Sequence, residues 1–213
     1  MIRNGARAPL FFLPGASGNT RFWRPLAERL AHAGERVFFG WPGFGETPPD
    51  PRVRGLDDLV ALVLERITHP VHLIAQSMGG VIAARAALAR PRSVKSLVLA
   101  ATSGGIDVAA LGGSDWRLAF RAAYPGAPRW FEAAQDDLSE RLPELGVPVL
   151  LLWGDADPVS PVAVGERLAT LLPNAELCVF EGGTHDLVLE RAADVAPWVE
   201  RHLAAVGEYP NDP

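Results

Sequence analysis

Residues 71–83 read VHLIAQSMGGVIA, and this stretch decides the fold. The apolar run of Val71, Leu73, Ile74 and Ala75 suits one buried strand. It stops at Gln76-Ser77-Met78-Gly79-Gly80, and a helix-competent run over 81–90 follows at once. Strand, tight corner, helix is the predicted order. Ala75 and Gly79, two positions before and two after Ser77, are small enough for the backbone to fold sharply and for the helix to pack close to the strand. The serine then projects from the corner into a cleft.

Working outward, the same unit repeats. Residues 9–13 and 37–39 read as short strands, with a helix expected over 20–33, where Thr20 caps and Phe22, Trp23, Leu26 and Leu30 share a face until Gly34. Leu56, Leu59, Val60, Val63, Leu64 and Ile67 give the next helix its apolar face. Beyond the corner, 96–101, 147–153 and 175–180 read as strands, and 161–172 and 187–205 as helices. Continuous apolar strands alternating with amphipathic helices predict an α/β fold. We expect a doubly wound, mostly parallel six-stranded sheet, covered on both faces, with right-handed crossovers and a single domain over 1–213. The tail at 208–213 is expected to fray.

Residues from about 103 to 145 do not repeat the unit. They form a candidate helical lid with Gly104-Gly105 and Gly112-Gly113 as hinges, rich in aromatic side chains at Trp116, Phe120, Tyr124, Trp130 and Phe131. Trp116, Phe120 and Trp130 are expected to line an apolar pocket over Ser77, although the same residues could form the core of a small packed layer. Trp41 and Phe44, in the Pro/Gly-rich loop over 41–51, are further candidate substrate contacts.

With 213 residues and 48% hydrophobic content, one full core is within reach. A net charge of −5 with the two signs interspersed offers no footprint for nucleic acid or an anionic membrane. The single cysteine, Cys178, excludes an intrachain disulfide and lies in a strand-like run as a small buried hydrophobe. No secretory leader and no apolar stretch of membrane-spanning length is found, which predicts a cytoplasmic protein, monomer or homodimer. No metal-ligand cluster, phosphate loop or dinucleotide fingerprint occurs, so neither metal nor cofactor is expected.

In open parallel sheets the ligand site lies at the carboxyl ends of the strands. The loops there deliver Pro14-Gly15-Ala16, Ser77-Met78, Asp155 and Asp157, and His185. A serine hydroxyl needs a base to remove its proton, and the base needs a third group to hold its tautomer. Ser77, His185 and Asp157 supply those three types, in the order Ser, Asp, His.

In its elbow A-x-S-x-G at 75–79, in Gly154-x-x-Asp157, and in the loop at His185, the chain resembles the α/β-hydrolase superfamily over about 9–205. The resemblance implies Ser77 as nucleophile, Asp157 as acid and His185 as base, with the N–H groups of Ala16 and Met78 as the oxyanion hole. It favours Asp157 over Asp155, which is expected to bond backbone donors of its turn. Three departures stand out. Ala75 replaces the first glycine of the elbow. Pro14-Gly15 replaces a common His-Gly, removing a side chain that normally braces the loop. Relatives commonly carry two strands before the one at 9–13, so the strand at 37–39 is expected at a sheet edge, covered, short or paired with another chain. The implied activity is cleavage of a small, largely apolar carboxylic ester. A thioester or a carbon–carbon bond beside a carbonyl could be cleaved by the same groups, and a related lyase or a non-catalytic ligand-binding protein on this fold are the alternatives.

Overall fold

The computed structural model describes residues 7–134 and 136–207; the tail at 208–213 lies outside them. Among the described residues six strands form one sheet: β1 (Leu10–Leu13), β2 (Arg36–Phe38), β3 (Val71–Gln76), β4 (Val94–Ala100), β5 (Val149–Gly154) and β6 (Ala175–Phe180). Their order across the sheet is β2-β1-β3-β4-β5-β6, and every pairing is parallel. The expectation of a mostly parallel sheet is thus met in full. β2 is a three-residue edge strand, as its position required.

Among the described residues the eight α-helices are α1 (Arg24–Ala27), α2 (Leu56–Arg66), α3 (Met78–Ala89), α4 (Arg117–Ala123), α5 (Trp130–Ala133), α6 (Val162–Leu171), α7 (Leu187–Glu190) and α8 (Ala192–Gly207). Successive strand residues face opposite sides, and two cores result. Phe11, Leu13, Leu73, Ala75, Leu97, Leu99, Leu151 and Trp153 pack with α2, α3 and α6. Leu10, Phe12, Ile74, Val98, Leu150, Leu152 and Cys178 pack with α1, α7 and α8. Burial raises the Cys178 thiol pKa to about 11, in keeping with an inert core residue.

Two helices differ from expectation. The run over 20–33 yields only the four residues of α1: Pro25 has no N–H to give an earlier turn, which fixes the start of the helix, and the segments on either side close i to i+3 turns. The closing helix is broken at Arg191 (φ −125°, ψ 39°) into α7 and α8. Among the described residues no helix is long and apolar enough to cross a membrane.

Candidate active site

The corner after β3 is strained. Ser77 has φ 52° and ψ −123°, a conformation that L-residues rarely adopt, that costs about 1–3 kcal/mol and that persists only where the surroundings impose it. They do impose it. A Cβ on Gly79 would lie 2.6 Å from the carbonyl oxygens of Leu13 and Pro14, and one on Gly80 would run into Thr102, so α3 sits directly against β1 and the end of β4. Thr102 Oγ1 donates to the Ser77 carbonyl (2.6 Å) and accepts from the Gly104 N–H (3.0 Å).

Met78 opens the twelve-residue α3. Its N–H is one of the helix's first donors, without an intrahelical partner and at the positive end of the helix dipole. The 14–18 loop, whose Gly15 lies so close that an added Cβ would approach Ser77 Cβ at 3.0 Å, carries Ala16, which is buried. That loop lacks the usual histidine, yet it is held. The Trp41 indole N–H donates to the Pro14 carbonyl (2.8 Å), and that of Trp23 to the Leu13 carbonyl (3.1 Å).

The loops that carry Asp157 and His185 are joined. Gly154 and Gly183 meet backbone to backbone, with no room for a Cβ on Gly154, and the Ala156 N–H donates to the Gly183 carbonyl (2.9 Å). The Asp157 side chain is fully buried. Its Oδ1 accepts from the backbone N–H groups of Val159 (2.8 Å) and Ser160 (3.1 Å), and its Oδ2 lies 2.8 Å from His185 Nδ1. Asp155 instead accepts from the Gly182 N–H (2.6 Å), in the His185 loop and not in its own turn. Ser160 Oγ donates to the Thr102 carbonyl (3.2 Å), which ties the Asp157 loop to the elbow.

Ser77, Met78 and His185 line one open cleft of about 770 Å³. Val81, Ile106, Val108, Trp116, Phe131 and Val159 form its apolar walls, while Asp107, Asp115, Arg117, Asp136 and Asp137 stand at the polar parts of its lining. Of the aromatic residues expected to contact substrate, Trp116 is in the wall. Trp41 and Phe44 are fully buried, the first bonded to the 14–18 loop and the second edge-on to Trp130 (5.7 Å) and Phe131 (5.8 Å). Phe120 and Trp130 stand behind the wall as a packed layer: Phe120 is edge-on to Trp116 at 5.6 Å and to Phe131 at 5.5 Å. Aromatic content alone does not say which way a ring points, and here most rings hold the insert together. Phe131 replaces them at the cleft. Gln76, Thr102 and Ser160 carry no motif; the one sequence cue was a polar Gln76 closing an otherwise buried strand.

The alpha/beta hydrolase family pattern matches residues 10–198, on the strands and loops just described. The chain belongs to the alpha/beta hydrolase family. A poly(3-hydroxyalkanoate) depolymerase of Ectopseudomonas oleovorans is 29% identical to this hydrolase over 238 residues, 92% of this chain and 84% of that protein. A polyketide synthase of Burkholderia thailandensis, ThaQ, is 29% identical over 249 residues, covering 93% of this chain but only 12% of the synthase, so the hydrolase corresponds to a small part of that protein. A solved bacterial membrane phospholipase A superimposes with a TM-score of 0.82 at 23% identity, covering 95% of this chain and 80% of the other, a likeness of fold.

Proposed function

We propose that this hydrolase cleaves a small, largely apolar carboxylic ester through an acyl-enzyme formed on Ser77. The observation that carries the reading is the 2.8 Å contact between His185 Nδ1 and a fully buried Asp157, with His185 and Ser77 on one cleft. Asp157 fixes the ring proton on Nδ1 and leaves Nε2 as acceptor. Nε2 takes the Ser77 proton as Oγ attacks the ester carbonyl carbon. The resulting oxyanion accepts from the N–H groups of Met78 and Ala16, each such donor being worth roughly 100- to 1,000-fold in rate. The imidazolium then protonates the leaving alcohol. Water, deprotonated by the same nitrogen, releases the acid and restores Ser77.

A relative named as a methyl ester esterase supports an ester as substrate. The apolar wall of Val81, Ile106, Val108, Trp116 and Phe131 supports an acyl chain with few polar groups. Ser77→Ala is expected to abolish hydrolysis of p-nitrophenyl esters, and a fluorophosphonate probe to label wild type at Ser77 only. Retained turnover in the variant, or labelling elsewhere, would sink the reading. Parallel assays on acyl thioesters and on C–C substrates show which acyl compound is turned over fastest.

A further inference from the structure

We propose that Gln76 is a positioning residue, whose buried side-chain amide holds the His185 loop and the Ala16 loop in place against Ser77. The inference rests on the Ser77, His185 and Asp157 roles given above. Gln76 ends β3, is 4% exposed and lies outside the cleft lining. Its Nε2 donates to the His185 carbonyl (3.3 Å), a contact between residues 109 apart in the chain. The other end of the amide rests on Gly15: a Cβ built there would strike Gln76 Oε1 and approach Ser77 Cβ at 3.0 Å. One planar group is thus wedged between the backbone preceding Ala16 and the backbone of the candidate base, and it belongs to the residue directly before the nucleophile.

Strand geometry explains the choice of position. Side chains alternate along β3, so Gln76 falls on the same face as Ile74, the face covered by α7 and α8. The His185 loop leads into α7 and therefore passes over that face. Arg191 and Glu190 hold the loop at the Glu181 carbonyl and at Thr184, and two further ties lead to the acid loop, through Gly182 to Asp155 and through Gly183 to Ala156. Those last two fix base to acid; Gln76 ties base to nucleophile. A buried amide is retained only where its polar atoms find partners. Misplacing a reacting group by about 1 Å can cost on the order of 100-fold in rate.

Gln76→Met keeps the chain length and removes the donor; Gln76→Glu keeps the shape and turns an oxygen toward the His185 carbonyl. Both are expected to lower kcat on p-nitrophenyl esters by roughly 10- to 100-fold, with KM within about threefold of wild type, and to slow fluorophosphonate labelling of Ser77 by a similar factor. Val195→Ala, on the buried face of α8, serves as a control that lowers the melting temperature and leaves kcat unchanged. A folded Met or Glu variant with kcat and labelling within twofold of wild type would overturn the proposal, as would a raised KM at unchanged kcat. If Ser77→Ala is inactive in those circumstances, the triad stands and only the role of Gln76 falls. Turnover by Ser77→Ala takes both down.

Discussion

Replacing Asp157 by asparagine separates the two jobs its carboxylate is placed to do. The side chain is fully buried, with Oδ1 on two backbone N–H groups and Oδ2 on the His185 ring. An asparagine has two ways to fill that space. With its oxygen on Val159 and Ser160 it turns its NH₂ toward Nδ1, which forces the ring proton onto Nε2, where it cannot accept from Ser77. With its oxygen toward the ring it sets NH₂ against two N–H groups and leaves both unpaired, at about 1–3 kcal/mol each. The productive orientation therefore lies about 2–6 kcal/mol uphill, and kcat falls by roughly 30-fold to 10⁴-fold, in line with the large losses such a tautomer change causes in other triads. Asp155→Asn keeps the acceptor for the Gly182 N–H and is expected to stay within tenfold of wild type. The assay is kcat on saturating p-nitrophenyl ester, with circular dichroism to show that both variants are folded. An Asp157→Asn enzyme within tenfold of wild type, or an Asp155→Asn enzyme that is the worse of the two, refutes the reasoning.

Stability should fall in mild acid for reasons remote from the cleft. Burial holds His72 down to about 3 and His202 to about 4, His72 lying near His32, Lys95 and His202 with Nδ1 2.8 Å from Ser96 Oγ. Because both folded values lie below the ordinary histidine value of about 6.5, the unfolded chain binds the extra protons; the full contribution is present above that value and is lost as pH falls toward 3–4, about 2 kcal/mol per group by pH 5. Urea unfolding at pH 7 and pH 5 checks this, and equal midpoints would contradict it. At the cleft, Trp116→Ala should move the preferred acyl chain length, since each added methylene that finds apolar wall is worth roughly three- to fourfold in kcat/KM. Phe120→Ala, behind the wall, should lower the melting temperature and leave the profile alone; a shifted profile in Phe120→Ala but not in Trp116→Ala would reverse the two roles.

The sheet was legible because a parallel strand buried on both faces must be a continuous apolar run, and the runs at β1, β3 and β5 leave no other reading. The loops that bring Ser77, Asp157 and His185 to one rim followed from topology, since each leaves the carboxyl end of a parallel strand. Side-chain direction in irregular segments was not legible. Trp41 and Phe44 look like pocket aromatics in a glycine-rich loop, yet Trp41 turns inward to cap a carbonyl that the Pro14-Gly15 sequence leaves without its usual brace. Nor do contacts such as Gln76 to His185 leave a trace in spacing, because they join residues from distant parts of the chain. The start of α1 was readable in hindsight from Pro25, whose missing N–H denies the helix an earlier turn.

Because β4 and β5 are parallel neighbours, residues 101–148 must carry the chain from the top of one strand to the foot of the next, and they divide that journey. Leu138, Leu142 and Leu145 make the descent, buried beside α3 and fixed in the main core. The storey above them, with α4 and α5, overhangs the cleft and leaves Leu118 79% exposed. The ladder from Leu97↔Val149 to Ala100↔Leu152 includes no residue of that storey. A substitution at a storey residue that faces the cleft, such as Trp116, therefore alters what the cleft admits without touching the strand ladder, whereas Phe120, packed against the main core, holds the storey down.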